Sequence, residues 1–200
     1  NAYLSVQHAA RYCDDRINED YEEIVRNKRT NTDNISSNAV HYLYARSFFG
    51  DIKVEKRNKA AFEYFVKQAE KYWLKKGIYE QGLIACALHR FDKPNIPQKI
   101  YRSLKEKALV SEEMGMYWKS MYENGGWFWY QAPIERQALL IEMFEEVAKD
   151  RESVEAMKTW LLKSKQTQNW KTTKATTDAV YALLLRGTDI LSKNASVKIS

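Results

Sequence analysis

The segment QTQNWKTTKATTDAVYALLL, residues 166–185, decides the fold of this protein. It joins one tryptophan to a threonine-rich stretch and then to a run of apolar residues. Hydroxyls grouped with the carboxylate of Asp178 are compatible with an active site, but threonine is also preferred just before a helix, where its oxygen accepts a backbone N–H. The apolar run predicts a helix whose first turn is about Ala175 to Asp178, with Thr172 and Thr173 placed to cap it.

The same pattern occurs at three earlier places in the chain. The pattern is anchored on a polar residue, here Asp178. Three positions before the anchor is Ala175, and eight positions before it is Trp170. A small residue, Ala179, follows the anchor directly, and the apolar Val180 comes next. The anchors of the other copies are Asn38, Gln81 and Gln137, and the matching tryptophans are Trp73 and Trp129, with a threonine in the first copy. Because the anchors are 43, 56 and 41 residues apart, the pattern predicts stacked supersecondary units.

Two kinds of helix alternate along the chain. Each anchor precedes a run that is apolar on nearly all sides, such as IACAL at 84–88, which is typical of a buried helix. Between these runs, apolar residues recur every three or four positions, as in helices with one solvated face. These positions are Val6, Ala10, Cys13, Ile17, Tyr21 and Ile24; Ala61, Phe65, Ala69 and Tyr72; Ile100, Leu104 and Ala108; and Val154, Met157 and Leu161. The alternation predicts an all-α fold of about four helix pairs, which forms a partial α/α toroid if the array curves shut.

The ends of the chain predict a piece of a larger multidomain protein. We expect residues 1–190 to form one α/α toroid fragment, because the chain starts without a methionine and is too short for a complete toroid. Residues 191–200 end in SVKIS, which predicts the start of a β-strand in a following β-domain or a linker. Glycines at Gly50, Gly77 and Gly187 are expected where helices stop or turn.

Composition excludes several classes of function. The apolar fraction of 44% and the charged fraction of 29% are typical of a globular chain. The net charge of +6 is spread over interleaved acidic and basic residues, without an arginine-rich arm or zinc-finger spacing, so no nucleic-acid binding is expected. No apolar run reaches about 18 residues, so no membrane span is expected. Cys13 and Cys86 are far apart, and we expect both to be small buried residues.

The residues that repeat are expected to be structural. Polar anchors inside apolar patterns cap helix ends or bond between helices, and the alternative is that they ring a central cleft. The repeated tryptophans are expected to wedge between outer and inner helices. Trp127 and Tyr130 depart from the repeat and lie in the loop ENGGWFW at 123–129, which makes them the candidate ligand-binding residues.

Catalytic signals are weak in this sequence. Glu135 lies near the start of a predicted helix and is a candidate general acid, but no second carboxylate is placed to pair with it. Glu145 and Glu146 are expected on a solvated helix face. The histidines lack metal-ligand spacing. We therefore predict no catalytic residue, metal or cofactor.

Two segments resemble a known family. The closing helices of the thioester domain in bacterial alpha-2-macroglobulin-like proteins are similar to residues 154–185, and the preceding helix pair is similar to GGWFWYQAPIERQALLIEMF at 125–144. The glutamine, tryptophan and threonine pattern more loosely resembles the repeats of terpene cyclases, which share the α/α toroid.

The resemblance implies a large protein of the cell envelope that faces the periplasm. It would trap proteases and inhibit endopeptidases, with β-domains of the same parent chain and the proteases as partners. In the family, a Cys-x-Glu-Gln motif forms a thioester that acylates the protease. Neither Cys13 nor Cys86 begins such a motif, so either the motif lies upstream or the parent lacks it. The alternative hypothesis is a fragment of an α/α-toroid glycan lyase or hydrolase.

Overall fold

A computed structural model describes residues 2–119, 133–167 and 172–185. These residues are mostly helical, with one two-stranded sheet. The chain divides into two compact units. Unit 1 contains Asn1–Glu106 and Glu146–Ala148, and unit 2 contains Lys107–Glu145 and Lys149–Ser200.

Unit 1 is built from five helices. They are α1 (Ala2–Arg26), α2 (Ser37–Arg46), α3 (Lys59–Tyr72), α4 (Ile78–Arg90) and α5 (Asn95–Glu106). Short 3₁₀ turns, Lys56–Asn58 and Trp73–Lys75, flank α3. Helix α1 packs on α3, α2 packs on α4, and α4 also packs on α5. The first two of these pairs join alternate helices of the chain, and the third joins consecutive ones.

The burial of α1 and α4 follows from their sequence patterns. On α1, Ala10, Ile17 and Ile24 are buried along one stripe, whereas α4 is buried without interruption from Gln81 to Leu88. This confirms one solvated face for α1 and none for the middle of α4. The expectation for Cys13 was wrong, because this free thiol lies one residue before buried Asp14 and faces solvent.

Unit 2 combines helices with a β-hairpin. Its elements are β1 (Leu109–Ser111), β2 (Gly115–Tyr117), α6 (Pro133–Met143), α7 (Arg151–Thr167) and α8 (Thr173–Leu184). Helix α6 runs into a π-helical turn, Phe144–Ala148, whose last three residues belong to unit 1. Helix α6 packs on both α7 and α8, and α7 also packs on β2.

The hairpin is the element that sequence reasoning missed. Strand β1 pairs antiparallel with β2, with Leu109 opposite Tyr117 and Ser111 opposite Gly115. Gly115 has φ +76°, and a Cβ atom built on it would lie 2.1 Å from the carbonyl oxygen of Ala156 on α7. The hairpin therefore depends on a glycine where a left-handed turn and a close helix approach coincide.

The predicted alternation of helices is confirmed along the chain. The repeat anchors lie on α2, α4, α6 and α8, and an amphipathic helix precedes each of them. The expectation that every anchored helix is buried on all sides was wrong for α8, because Val180, Tyr181 and Leu184 are exposed. No helix among residues 2–119, 133–167 and 172–185 is long and apolar enough to cross a membrane. The segment 191–200 lies outside the described residues.

Candidate functional site

Four polar residues of unit 2 lie where α6 and α8 begin. We call Glu135, Arg136, Gln137 and Thr172 the α6–α8 polar cluster. Glu135 and Gln137 are buried, Arg136 is half-buried, and Thr172 lies at the surface. The cluster contains the candidate general acid, one repeat anchor and the threonine predicted to cap α8.

Thr172 holds the start of α8 in place. Its Oγ1 accepts a hydrogen bond from the backbone N–H of Ala175 at 3.0 Å, which satisfies one of the amides left open at a helix start. The same hydroxyl donates to Oε1 of Glu135 at 3.3 Å and so connects α8 to α6. The capping role predicted for Thr172 is confirmed, whereas Thr173 is the first residue inside the helix.

Glu135 is a buried carboxylate with one open acceptor. It lies in the first turn of α6, where the helix dipole favours negative charge. Its side chain is only 2% exposed. Oε1 accepts from Thr172, while Oε2 has no hydrogen-bond partner among the residues that the structure describes. A buried acceptor without a donor is costly, so this oxygen is a point where the cluster can take a hydrogen-bond donor.

Arg136 ties the same end of α6 to the chain after the hairpin. Its Nη2 donates to the carbonyl oxygen of Trp118 at 2.8 Å. Its Nε is buried and has no hydrogen-bond partner within the described part of the chain. Burial lowers the pKa of Arg136 from its ordinary value. The cluster therefore offers one open acceptor, on Glu135, and one open donor, on Arg136.

Gln137 connects three elements of unit 2. Its Nε2 donates to the carbonyl oxygen of Met116 on β2 at 2.7 Å and to that of Met157 on α7 at 3.3 Å. The side chain is 1% exposed. This anchor therefore bonds between neighbouring elements.

The other anchors occupy different environments. Gln81 is buried on α4, and its Nε2 donates to the carbonyl oxygen of Lys76 at 2.7 Å, just before the helix. Asp178 is half-buried and forms an ion pair with Lys174 on the same helix. Asn38 is exposed, so its expected burial was wrong. It is the second residue of α2, and Ser36 caps this helix instead.

Of the tryptophans singled out in the sequence, Trp73 lies in the described part of the chain. Trp73 is buried in the turn that follows α3, as expected of a repeat position. The remaining predicted positions lie outside the described residues: Trp127, Trp129, Tyr130 and Trp170. The two candidate ligand-binding residues therefore stay predictions.

Asp14, Tyr42 and Arg46 form a second set of hydrogen-bonded polar side chains, inside unit 1, which the sequence analysis did not predict. Oδ1 of Asp14 accepts from Nε of Arg46 at 3.0 Å and from the hydroxyl of Tyr42 at 2.7 Å. Arg46 also donates to the backbone carbonyls of Phe49 and Ile52. Burial and the Asp14 carboxylate raise the pKa of Tyr42 above its ordinary value. The sequence contains one sign of this group: Asp14 lies between Ala10 and Ile17 on the apolar stripe of α1, where a buried carboxylate needs a partner.

The acidic pair after α6 was also misread. Glu145 is buried, and Glu146 is half-buried rather than solvated. Within unit 1, the guanidinium of Arg90 donates to both carboxylate oxygens of Glu146, at 2.9 and 2.6 Å. The same guanidinium lies 4.1 Å from the ring centre of Phe48 and 5.3 Å from that of Tyr44. Burial is continuous from Gln137 to Glu145, so the buried run of α6 extends into the π-helical turn, where a pair of glutamates does not mark a solvated face.

The hydrogen bonds of the α6–α8 polar cluster join α6 to α8, β2, α7 and the chain after the hairpin. Comparison with protein-family models, with curated proteins and with solved structures finds no match.

Proposed function

We propose that this chain is an interaction domain from the thioester domain of a bacterial alpha-2-macroglobulin-like protein and contributes to protease entrapment. The observation that carries the proposal is the packing of alternate helices. In unit 1, α1 packs on α3 and α2 on α4, and in unit 2, α6 packs on α8. An α/α toroid requires this arrangement, because outer helices adjoin outer helices and inner helices adjoin inner ones.

The hydrogen bonds of the two segments that resemble the family support the same proposal. Thr172 caps α8, and Gln137 bonds to two other elements. These side chains are used to build the fold. These structural roles of Thr172 and Gln137 support an interaction domain.

The partners and the location follow from the family. The domain packs against β-domains of its own parent chain, and the parent faces the periplasm and captures proteases. Inhibition is non-covalent if the parent has no Cys-x-Glu-Gln motif, and covalent if the motif is present elsewhere in it.

Entrapment is tested on the full-length protein that contains this chain. It is mixed with a broad-specificity protease, and cleavage of a small peptide is compared with cleavage of a large protein substrate. We expect cleavage of the peptide to continue while cleavage of the large substrate falls, because a trapped protease admits only small molecules. An unrelated protein of similar mass is the control. Equal loss or equal retention of both activities would overturn the proposal.

Methylamine distinguishes the two forms of capture. It opens thioesters, so pretreatment should abolish covalent protease adducts on a denaturing gel if the parent has the motif. Capture that persists unchanged after methylamine is the non-covalent form.

A second candidate function is favoured by one observation. The open Oε2 of buried Glu135 is compatible with a general acid in a glycan-active α/α toroid. This alternative predicts that the protein cleaves a polysaccharide and that Glu135→Gln abolishes the cleavage with little change in folding. Products from polysaccharide panels, measured as new reducing ends or unsaturated sugars, would favour it over entrapment.

A further inference from the structure

Strand β1 has an open edge and an exposed surface. Among the described residues it pairs only with β2, and all three of its residues are exposed. Val110, at its centre, is 70% exposed. In an antiparallel ladder, backbone groups point alternately toward and away from the partner strand, so β1 presents N–H and C=O groups on the side away from β2. Such an edge is a template for another strand.

The charges that flank β1 are opposite at its two ends. Lys107 precedes the strand and is exposed, and the turn after the strand contains exposed Glu112 and Glu113. The ion pairs described for unit 2 use none of these three side chains. The turn has a defined shape, since Oγ of Ser111 accepts from the backbone N–H of Met114 at 2.9 Å.

This charge order is self-complementary under a two-fold rotation. Lys107 and Glu113 lie three residues on either side of Val110. If two copies of β1 pair antiparallel about Val110, Lys107 of each copy faces the acidic turn of the other. Opposite charges at both ends set the register, and the two exposed valines meet at the centre.

We propose that the open edge of β1 pairs with the same edge of a second copy of this chain, antiparallel about Val110, to form a four-stranded sheet. The pairing removes the open edge and covers Val110, and it needs no other partner. It does not rest on the function proposed above. The contact is small, so it gives a weak, concentration-dependent dimer that salt weakens further.

The test is sedimentation equilibrium of the chain from low micromolar to several hundred micromolar concentration. The wild type should show a monomer–dimer equilibrium. Val110→Lys should abolish it, because two lysines would meet at the centre. Val180→Lys is the matched control, since Val180 is an exposed valine on α8 in the same unit. Circular dichroism checks that each variant is folded.

Charge reversal tests the register. Lys107→Glu should weaken the dimer about tenfold, because it sets like charges against the acidic turn. Adding Glu112→Lys and Glu113→Lys to that variant should restore it. A wild type that stays monomeric at every concentration would overturn the proposal. A dimer that is unchanged by Val110→Lys, or that the triple variant fails to restore, would also overturn it.

Discussion

Gln81 in unit 1 and Gln137 in unit 2 occupy the same position of the sequence repeat, but their hydrogen bonds connect different parts of the structure. Both are buried, and both donate through Nε2 to a backbone carbonyl. Gln81 bonds to Lys76, five residues away in the same segment, so it secures the start of its own helix. Gln137 reaches Met116 on β2 and Met157 on α7, so it holds three elements together. The repeat position therefore specifies a polar residue, while its surroundings decide whether that residue is buried and what it bonds to.

The two units also differ in how their interiors are secured. Unit 1 buries a charge pair, Asp14 with Arg46, and a phenol bonded to the same carboxylate. Unit 2 relies on a close approach, where Gly115 lies against Ala156 without room for a side chain. Replacing residues in each unit tests whether these are the features on which it depends.

The largest effect is expected from Asp14→Ala in unit 1. The change leaves Arg46 buried without its counter-charge and leaves the hydroxyl of Tyr42 without its acceptor. We expect a loss of about 3–5 kcal/mol in the free energy of unfolding, measured by denaturant titration. Asp20→Ala, on an exposed site of the same helix, is the control and should change stability by less than about 0.5 kcal/mol.

The double variant Asp14→Leu with Arg46→Met sharpens this test. Removing both charges should recover part of the loss, because no unpaired charge then stays buried. A loss for Asp14→Ala of no more than that for Asp20→Ala would mean that the pair is not important for unit 1.

Gly115→Ala should have the next largest effect, in unit 2. The new Cβ would meet the carbonyl oxygen of Ala156 at 2.1 Å, and the backbone is left-handed there. We expect destabilisation of about 3 kcal/mol from overpacking and backbone strain together. Gly50→Ala is the matched control, because a Cβ there would have no atom of the described residues within 4 Å. Hydrogen exchange read by mass spectrometry should show the loss of protection in the hairpin and α7, and equal effects of the two substitutions would contradict the close approach.

The comparison of the two glutamines is tested by replacing each with alanine. Gln137→Ala removes bonds to two other elements and leaves a cavity, so we expect a loss of about 2–3 kcal/mol. Gln81→Ala removes one local bond and should cost about 1 kcal/mol. Asn38→Ala, at the exposed anchor, should be close to neutral. Thermal unfolding of the three variants measures this order, and a larger effect at Gln81 than at Gln137 would break the comparison.

The smallest predicted effect is that of Thr172→Ala. It removes the cap of α8 and the donor to Glu135, so we expect a loss of about 1 kcal/mol in the free energy of unfolding. Thr172→Ser keeps the hydroxyl and should retain most of the stability. Thr173→Ala, one residue further on, should change it by only a few tenths of a kcal/mol. Similar losses at both threonines would argue against the cap.

Much of the helical architecture was readable in the sequence, and most of the polar contacts were not. The apolar stripe of α1, the buried run of α4 and the capping of α8 by Thr172 all depend on residues close in the chain, so local patterns predicted them. The partners of Glu135 and Gln137 lie 20 to 37 residues away. No local pattern specifies such partners, since they depend on how elements meet.

The hairpin and the π-helical turn show the same limit. Strands β1 and β2 have three residues each, too few for an alternating pattern to be distinct. Burial continues from α6 into the π-helical turn, so Glu145 and Glu146 do not lie on the solvated face that was expected of them.

The sequence by itself determined which segments are helical, their alternation, and the polar repeat positions that follow from periodicity and capping chemistry. Only the tertiary structure decided which of those positions are buried, which carbonyl each glutamine meets, and why Gly115 must be a glycine. The physical reason is how far along the chain each interaction reaches. Hydrophobic periodicity and caps act within a few residues of the chain, whereas close packing and the satisfaction of buried polar groups act between elements that folding brings together.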